Sequence, residues 1–269
     1  MPIRPIPIDR AAGVLLGQAC GDALGVPYEM GAPPVGDAVM SGGGLGPYEP
    51  GEWSDDTQMT LCVARVAAEG HDLESDVALD RISEGFENWL VDGATDVGTQ
   101  TRTILLRAGE LDGPAHERLR TASRELHART GLTAGNGALM RTSIVGIASP
   151  SDRDATARAA RAVAELTHTD PLAGDSCVLW SEAIRVAVTE GRLDLLGGLD
   201  LVSPEHRDDW RDWIKEATGG RPGQFENNGF TVTALQAAWA AITSTDLGDG
   251  SAVHLQRGLQ AAVRAGWDT

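Results

Sequence analysis

Apolar residues recur at helical spacing along nearly all of this 269-residue chain, and nowhere do they sustain the period-two alternation of a half-buried strand. Aromatic residues, which favour strands, make up only 4%. The first periodic segment runs from about Ile8 to Leu24. It sets Leu15, Leu16, Ala19, Ala23 and Leu24 on neighbouring faces, with Gly13, Gly17 and Gly21 between them. Such small residues weaken an isolated helix but let packed backbones approach closely. The spacing predicts further helices near 55–69, 75–91, 99–110, 117–128, 137–148, 152–168, 174–190, 204–217, 229–243 and 251–265. No repeat and no charged linker divides them. The expectation is one all-α domain over 8–269, a compact orthogonal helical bundle.

Charge narrows the partners. Asp plus Glu number 39 against 22 Lys plus Arg, a net of −17. A field of that sign repels phosphate backbones and anionic lipid, so no nucleic-acid backbone surface and no membrane surface are expected. It suits a site that gathers divalent cations. Cys20, Cys62 and Cys177 are odd in number, distant in sequence and set in apolar helical stretches, so each is expected to be a buried free thiol. The opening MPIRPIPIDR has no apolar core of a signal peptide, and no run of 18 apolar residues follows. A soluble, cytoplasmic, monomeric protein is the expectation.

One stretch escapes the helical pattern. Residues 31–53 are rich in Gly and Pro, with Gly42-Gly43-Gly44 at the centre. A loop of that length in a compact domain is usually functional. It joins Gly21-Asp22…Glu29 to Ser54-Asp55-Asp56, which suggests a flap over a site.

Several short motifs carry chemistry, each with a plain structural alternative. In Glu52-Trp53-Ser54-Asp55-Asp56-Thr57, Ser54 can cap a helix while the aspartates offset its dipole. The same oxygens can hold a hard cation such as Mg²⁺, and both roles can coexist. Gly135-Asn136-Gly137-Ala138-Leu139-Met140-Arg141 reads as a turn into a helix, or as a phosphate seat of bare N–H groups, with Arg141 on phosphate or on an internal carboxylate. In Thr167-His168-Thr169-Asp170-Pro171, His168 is either a dipole partner at a helix end or a pocket residue. Asp92 to Gly98 is a loop feeding a helix, with Asp96 at its start.

The order of these motifs says more than any of them singly. Gly21 to Glu29, Trp53-Ser54-Asp55-Asp56-Thr57, Asp96-Val97-Gly98, Gly135-Asn136-Gly137, Thr167-His168-Thr169-Asp170 and Asn228-Gly229-Phe230 together resemble the ADP-ribosylglycohydrolase family, from about residue 11 onward. The resemblance implies an all-α fold around two neighbouring Mg²⁺ or Mn²⁺ ions, with Ser54, Asp55 and Asp56 as ligands. It implies Glu29 on a mobile loop as a catalytic carboxylate, with Asp55 beside it. Gly135, Asn136, Gly137 and His168 would line the ADP-ribose pocket, and Asp96 and Gly98 would meet the distal ribose or leaving group. Family members carry a late Gly-(Gly/Ala)-Asp-x-Asp-Thr motif and a final helix. Here Ala265-Gly266-Trp267-Asp268-Thr269 supplies only the first aspartate, Asp268, as a further metal ligand, so the C-terminal end of the family domain is expected to be missing.

The implied reaction is metal-dependent removal of ADP-ribose from a modified protein or small acceptor by cleavage at ribosyl C1. A carboxylate near C1 and an oriented water lower the barrier to an oxocarbenium-like transition state, and paired ions polarise the reacting oxygens. The alternatives are a catalytically impaired ADP-ribose-binding homologue and a metal hydrolase of a free ADP-ribose derivative.

Overall fold

The computed structural model describes residues 6–246 and 252–268. Eleven α-helices follow in chain order: α1 (Ile8–Gly25), α2 (Asp55–Ala68), α3 (Asp76–Val91), α4 (Thr99–Ala108), α5 (Ala115–Thr130), α6 (Val145–Ala148), α7 (Arg153–Glu165), α8 (Pro171–Glu190), α9 (Arg207–Ala217), α10 (Thr231–Thr243) and α11 (Val253–Val263). Among the described residues there is no strand, only two isolated bridges, Gly43 to Tyr48 and Gly135 to Phe230. The chain is all-α, as the spacing predicts.

Helix α8 is the centre of the packing. Asp170 caps it by accepting from Leu172 N, Pro171 takes a first-turn position where no N–H is needed, and Gly191 ends it in the left-handed region at φ 71°. It buries residues around nearly its whole circumference, from Ala173 to Val188. Small side chains permit this. A Cβ on Gly146 would lie 2.5 Å from Ser181 O, so the α6–α8 approach requires glycine. Helix α7 offers α8 an alanine-rich face including Ala157, Ala160 and Ala164. One large core, including Met59, Ile82, Phe86, Ile104, Leu119, Leu179 and Leu235, joins α2 through α10.

Two expectations are corrected. The helix predicted over 137–148 is broken into a 3₁₀ turn, Asn136–Arg141, and the short α6. At the break Met140 O accepts from Gln18 Nε2 (2.7 Å), and Thr142 O accepts from Ser181 Oγ (3.0 Å) while its backbone bond to Val145 N (3.1 Å) closes a three-residue turn instead of an α-helical one. Cys62 and Cys177 are buried, but Cys20 is exposed. Helix α1 buries Ala23 and Leu24 and approaches Leu255 and Leu259 of α11 through Gly17 and Gly21, and Cys20 lies outside these contacts. Thr269 and the stretch 247–251, which includes the start of the helix expected over 251–265, lie outside the described residues. Among the described residues no helix is long and apolar enough to cross a membrane.

Candidate active site

The site begins with the N-terminus of α2, whose first N–H groups have no helical partner. Ser54 stands at the capping position, yet its side chain caps nothing. Asp22, from the last turns of α1, does so instead. Its Oδ1 accepts from Ser54 N (2.8 Å) and Ser54 Oγ (2.7 Å), and its Oδ2 accepts from Thr57 N (2.9 Å). The expected Ser54 cap is therefore corrected: the serine donates its proton to Asp22 and keeps its lone pairs free. Asp55 and Asp56 follow in the first turn, so one carboxylate orients the whole Ser-Asp-Asp triplet.

Glu29 lies just beyond α1. Met30 next to it adopts φ 53°, and its N–H donates to Trp267 O, itself at φ 69°. Asn227 is the third non-glycine residue with positive φ among those described. These three left-handed residues adjoin Glu29, Asn228 and Asp268, which places the backbone strain of the fold at its carboxylates. Asn228 is buried and acts as a clamp. Its Nδ2 donates to Gly266 O (3.1 Å) and Asp268 O (2.9 Å), and its Oδ1 accepts from Asp268 N (3.0 Å). Asn136 N donates to Gly229 O and Asn136 Nδ2 to Asn228 O, so the Gly-Asn-Gly turn rests on the same segment. The Asn136 side chain also hydrogen-bonds Asp268.

Four segments thus bring Glu29, Asp55, Asp56, Asp96 and Asp268 close enough to repel one another. Burial and the charges of Asp96, Asp268 and Asp55 push Glu29 up to about 9. Burial, then Asp96 and Asp22, push Asp55 up to about 7. Asp56 is raised well above the usual carboxylate range by burial and by Asp55, Asp22, Asp268 and Glu29. Burial raises Asp96 and Asp268 as well. The charge of Asp96 bears directly on Glu29, and Asp96 Oδ2 is buried without a hydrogen-bond partner among the described residues. Such a group can stay ionised only beside cations, and its all-oxygen donors, with Ser54 Oγ, fit a hard divalent ion. The side chains are not drawn into a finished shell, for among the described residues no three His, Cys, Asp or Glu stand placed to hold a metal. Asp22, Asp56, Asn136, Asn228 and Asp268 line a cavity of about 510 Å³ together with Gln18, Ser143, His254 and mostly apolar side chains.

The remaining motif residues fall around this centre or away from it. The Gly135–Gly137 turn lies against His168: a Cβ on Gly137 would meet His168 Cε1 at 3.3 Å and Thr101 Oγ1 at 3.4 Å, and one on Gly135 would meet His168 Nε2 at 3.4 Å. Gly98 is the exposed N-cap residue of α4, and nothing lies near the place of its missing Cβ. Arg141 reaches neither phosphate nor carboxylate, correcting both expectations. It is buried, with its guanidinium 4.6 Å from the centre of the Phe86 ring. The flap, residues 31–53, is irregular as expected. It is nonetheless tied to α11 where Ala38 N donates to Gln260 Oε1 and Gln260 Nε2 to Ala38 O. Sequence reasoning assigned no role to Asp22 or Asn228. Their motifs, Gly21-Asp22 and Asn228-Gly229-Phe230, were visible, but which groups they bind is a matter of long-range pairing.

Comparison with known proteins places the chain. A sequence model described as ADP-ribosylglycohydrolase matches residues 4–269. The ADP-ribosyl-[dinitrogen reductase] glycohydrolase of Rhodospirillum rubrum is 34% identical over 180 residues, 63% of this chain and 55% of that protein. The ADP-ribosylarginine hydrolase Tri1 of Serratia proteamaculans (strain 568) is 24% identical over 253 residues, 89% of this chain and 63% of that protein. The chain therefore spans 55% to 63% of the length of these two relatives. A solved structure titled "ADP-ribosylglycohydrolase-related protein complex" superposes with a TM-score of 0.69 at 26% identity, covering 97% of this chain and 82% of that one.

Proposed function

We propose that this chain, which belongs to the ADP-ribosylglycohydrolase family, is a hydrolase that removes ADP-ribose from a modified protein by cleaving the bond at ribosyl C1. The name of the relative ADP-ribosylarginine hydrolase Tri1 favours an arginine acceptor. The observation that carries the reading is the convergence of Glu29, Asp55, Asp56, Asp96 and Asp268, carboxylates that raise one another's pKa in a partly enclosed site.

Ser54, Asp55, Asp56 and Asp268 would hold Mg²⁺ or Mn²⁺, two ions in the full reading. Bound there, the ions would supply Lewis acidity and a template for ribose hydroxyls. The chain's own residues divide the remaining work. Asp22 orients the Ser54–Asp56 triplet, and Asn228 with Asn136 holds Asp268. Glu29, kept protonated by burial and by the carboxylates around it, can pass its proton to a leaving nitrogen or, once ionised, take one from water, the general acid–base role in glycosidic cleavage.

The test is turnover of an ADP-ribosylarginine protein with chelator, with Mg²⁺ or Mn²⁺ restored, and in Asp55→Ala and Asp56→Ala. Chelation should abolish release of ADP-ribose, restored cation should recover it, and either substitution should reproduce the loss. Full turnover in chelator, or in both variants, would overturn the metal-dependent reading.

A further inference from the structure

Arg141 is a fully buried cation without a carboxylate partner. Its Nη2 donates to Val163 O (3.1 Å) and to Thr167 Oγ1 (2.7 Å), while Nε and Nη1 have no hydrogen-bond acceptor among the described residues. Leaving two donors unpaired in the core is costly, and the face of Phe86 offsets only part of that. A hydrophobic residue would fill the space more cheaply. The position therefore calls for a role beyond packing.

That role is legible in the next bond. Thr167 Oγ1 sits 2.7 Å from Nδ1 of His168, which is itself buried. A guanidinium can only donate, so the threonine oxygen accepts from Arg141 and must place its own proton elsewhere. Of its two partners, only the imidazole nitrogen can accept it. Nδ1 is then unprotonated, and the ring proton resides on Nε2. The Nε2–Cε1 edge is the one lying against Gly135 and Gly137.

We infer that Arg141, acting through Thr167, fixes His168 as the neutral tautomer protonated on Nε2, a hydrogen-bond donor presented to the ligand seated at the Gly135–Gly137 turn. The donor suits an oxygen acceptor, a hydroxyl, carbonyl or phosphate oxygen of ADP-ribose. The ligand half of the inference rests on the pocket proposed above, whereas the tautomer half stands on the hydrogen-bond chain alone. The nearby guanidinium also opposes a charged imidazole: burial and the Arg141 charge hold His168 well below the usual histidine range. Arg141 and Thr167 are positioning residues in this scheme, and His168 is the group that meets the ligand. The glycines fit it too, since a side chain at 135 or 137 would crowd the donor edge.

The tautomer can be read directly. In the full chain labelled with ¹⁵N-histidine, long-range ¹H–¹⁵N correlation spectra separate protonated from bare ring nitrogens, and a His168→Gln spectrum assigns the signal among the six histidines. His168 should show a bare Nδ1 and a protonated Nε2, without titrating between pH 5 and 8. Thr167→Ser, which keeps the hydroxyl, should preserve this, and Thr167→Val should give mixed tautomers with ADP-ribose binding weakened about tenfold, the worth of one directed hydrogen bond. A merely structural threonine would lower stability without changing the tautomer. A wild-type His168 protonated on Nδ1, or charged at pH 7, overturns the relay, and this result needs no variant to fold. If the tautomer is as expected but ADP-ribose leaves the Nε2 signal unmoved, the relay stands and the ligand half falls.

Discussion

Raising the pH in the presence of a chelator should destabilise the protein, and a divalent cation should cancel the effect. Unfolded aspartates and glutamates titrate near pH 4, so above pH 6 the unfolded chain has released those protons. The folded chain has not. Glu29 is pushed up to about 9, Asp55 to about 7, and Asp56 well above the carboxylate range, because each would otherwise sit ionised beside the others. The sign follows: the folded state binds more protons than the unfolded state, so stability falls as pH rises towards the folded pKa values. Each excess proton is worth about 1.4 kcal/mol per pH unit. Glu29 and Asp56 are partly open to solvent, which screens them. Counting one net proton, the loss between pH 7.0 and 8.0 is about 1.4 kcal/mol. The window avoids His168, whose lowered pKa acts with the opposite sign only near and below the unfolded histidine value. It also stops before Cys62 and Cys177, raised by burial, add a loss of the same sign. Urea midpoints at constant m, measured in EDTA and in saturating Mg²⁺, provide the assay. Histidine and cysteine contributions are common to both conditions, so the difference between the two pH profiles isolates the carboxylates. In EDTA the midpoint should fall across the window, and in Mg²⁺ it should stay nearly flat. Parallel profiles, or a midpoint that rises with pH in EDTA, would refute the mutual repulsion on which the site is built.

Glu29→Gln should retain ADP-ribose binding by calorimetry while kcat falls about 10²–10⁴-fold, the usual worth of a general acid–base group; weakened binding with kcat near wild type would make Glu29 a binding residue. Asn228→Ala removes three hydrogen bonds to the backbone around Asp268. It should cost about 2–4 kcal/mol in urea unfolding, since buried groups lose their partners, and an unchanged midpoint would show that the clamp contributes nothing. Gly137→Ala places a methyl 3.3–3.4 Å from the His168 ring and Thr101 Oγ1. ADP-ribose affinity should drop with little change in melting temperature, and wild-type affinity would disprove the close approach. Hydrogen exchange across 31–53 should slow on adding ADP-ribose except near Ala38, already held by Gln260; unchanged protection throughout would argue against a gating flap.

The helices were legible because their signal is local. A 3.6-residue apolar period forces burial of one face whatever the partner is, and α1, α2 and α3 start and end within a residue or so of where that period places them. Capping chemistry sharpened some boundaries, as at Asp170-Pro171. The motif order also named the carboxylates, Glu29, Asp55, Asp56, Asp96 and Asp268, that the fold brings within electrostatic reach of one another.

What only the tertiary structure decided concerns pairing across long stretches of chain. Asp22, not Ser54, caps α2 from 32 residues away. Gln18 and Ser181, distant in sequence, bond the Met140 and Thr142 carbonyls where the helix expected over 137–148 is broken, contacts no local propensity encodes. Arg141 lies inside against Phe86, Val163 and Thr167, where the sequence had suggested a phosphate or an internal carboxylate as its partner. Cys20 is exposed because α1 buries Ala23 and Leu24 and meets α11 through Gly17 and Gly21, none of which brings residue 20 inward. Periodicity states that a face must be buried and a motif states which donors are available. Which groups meet is settled by steric fit and by the need to satisfy every buried polar atom, and both are properties of the assembled fold.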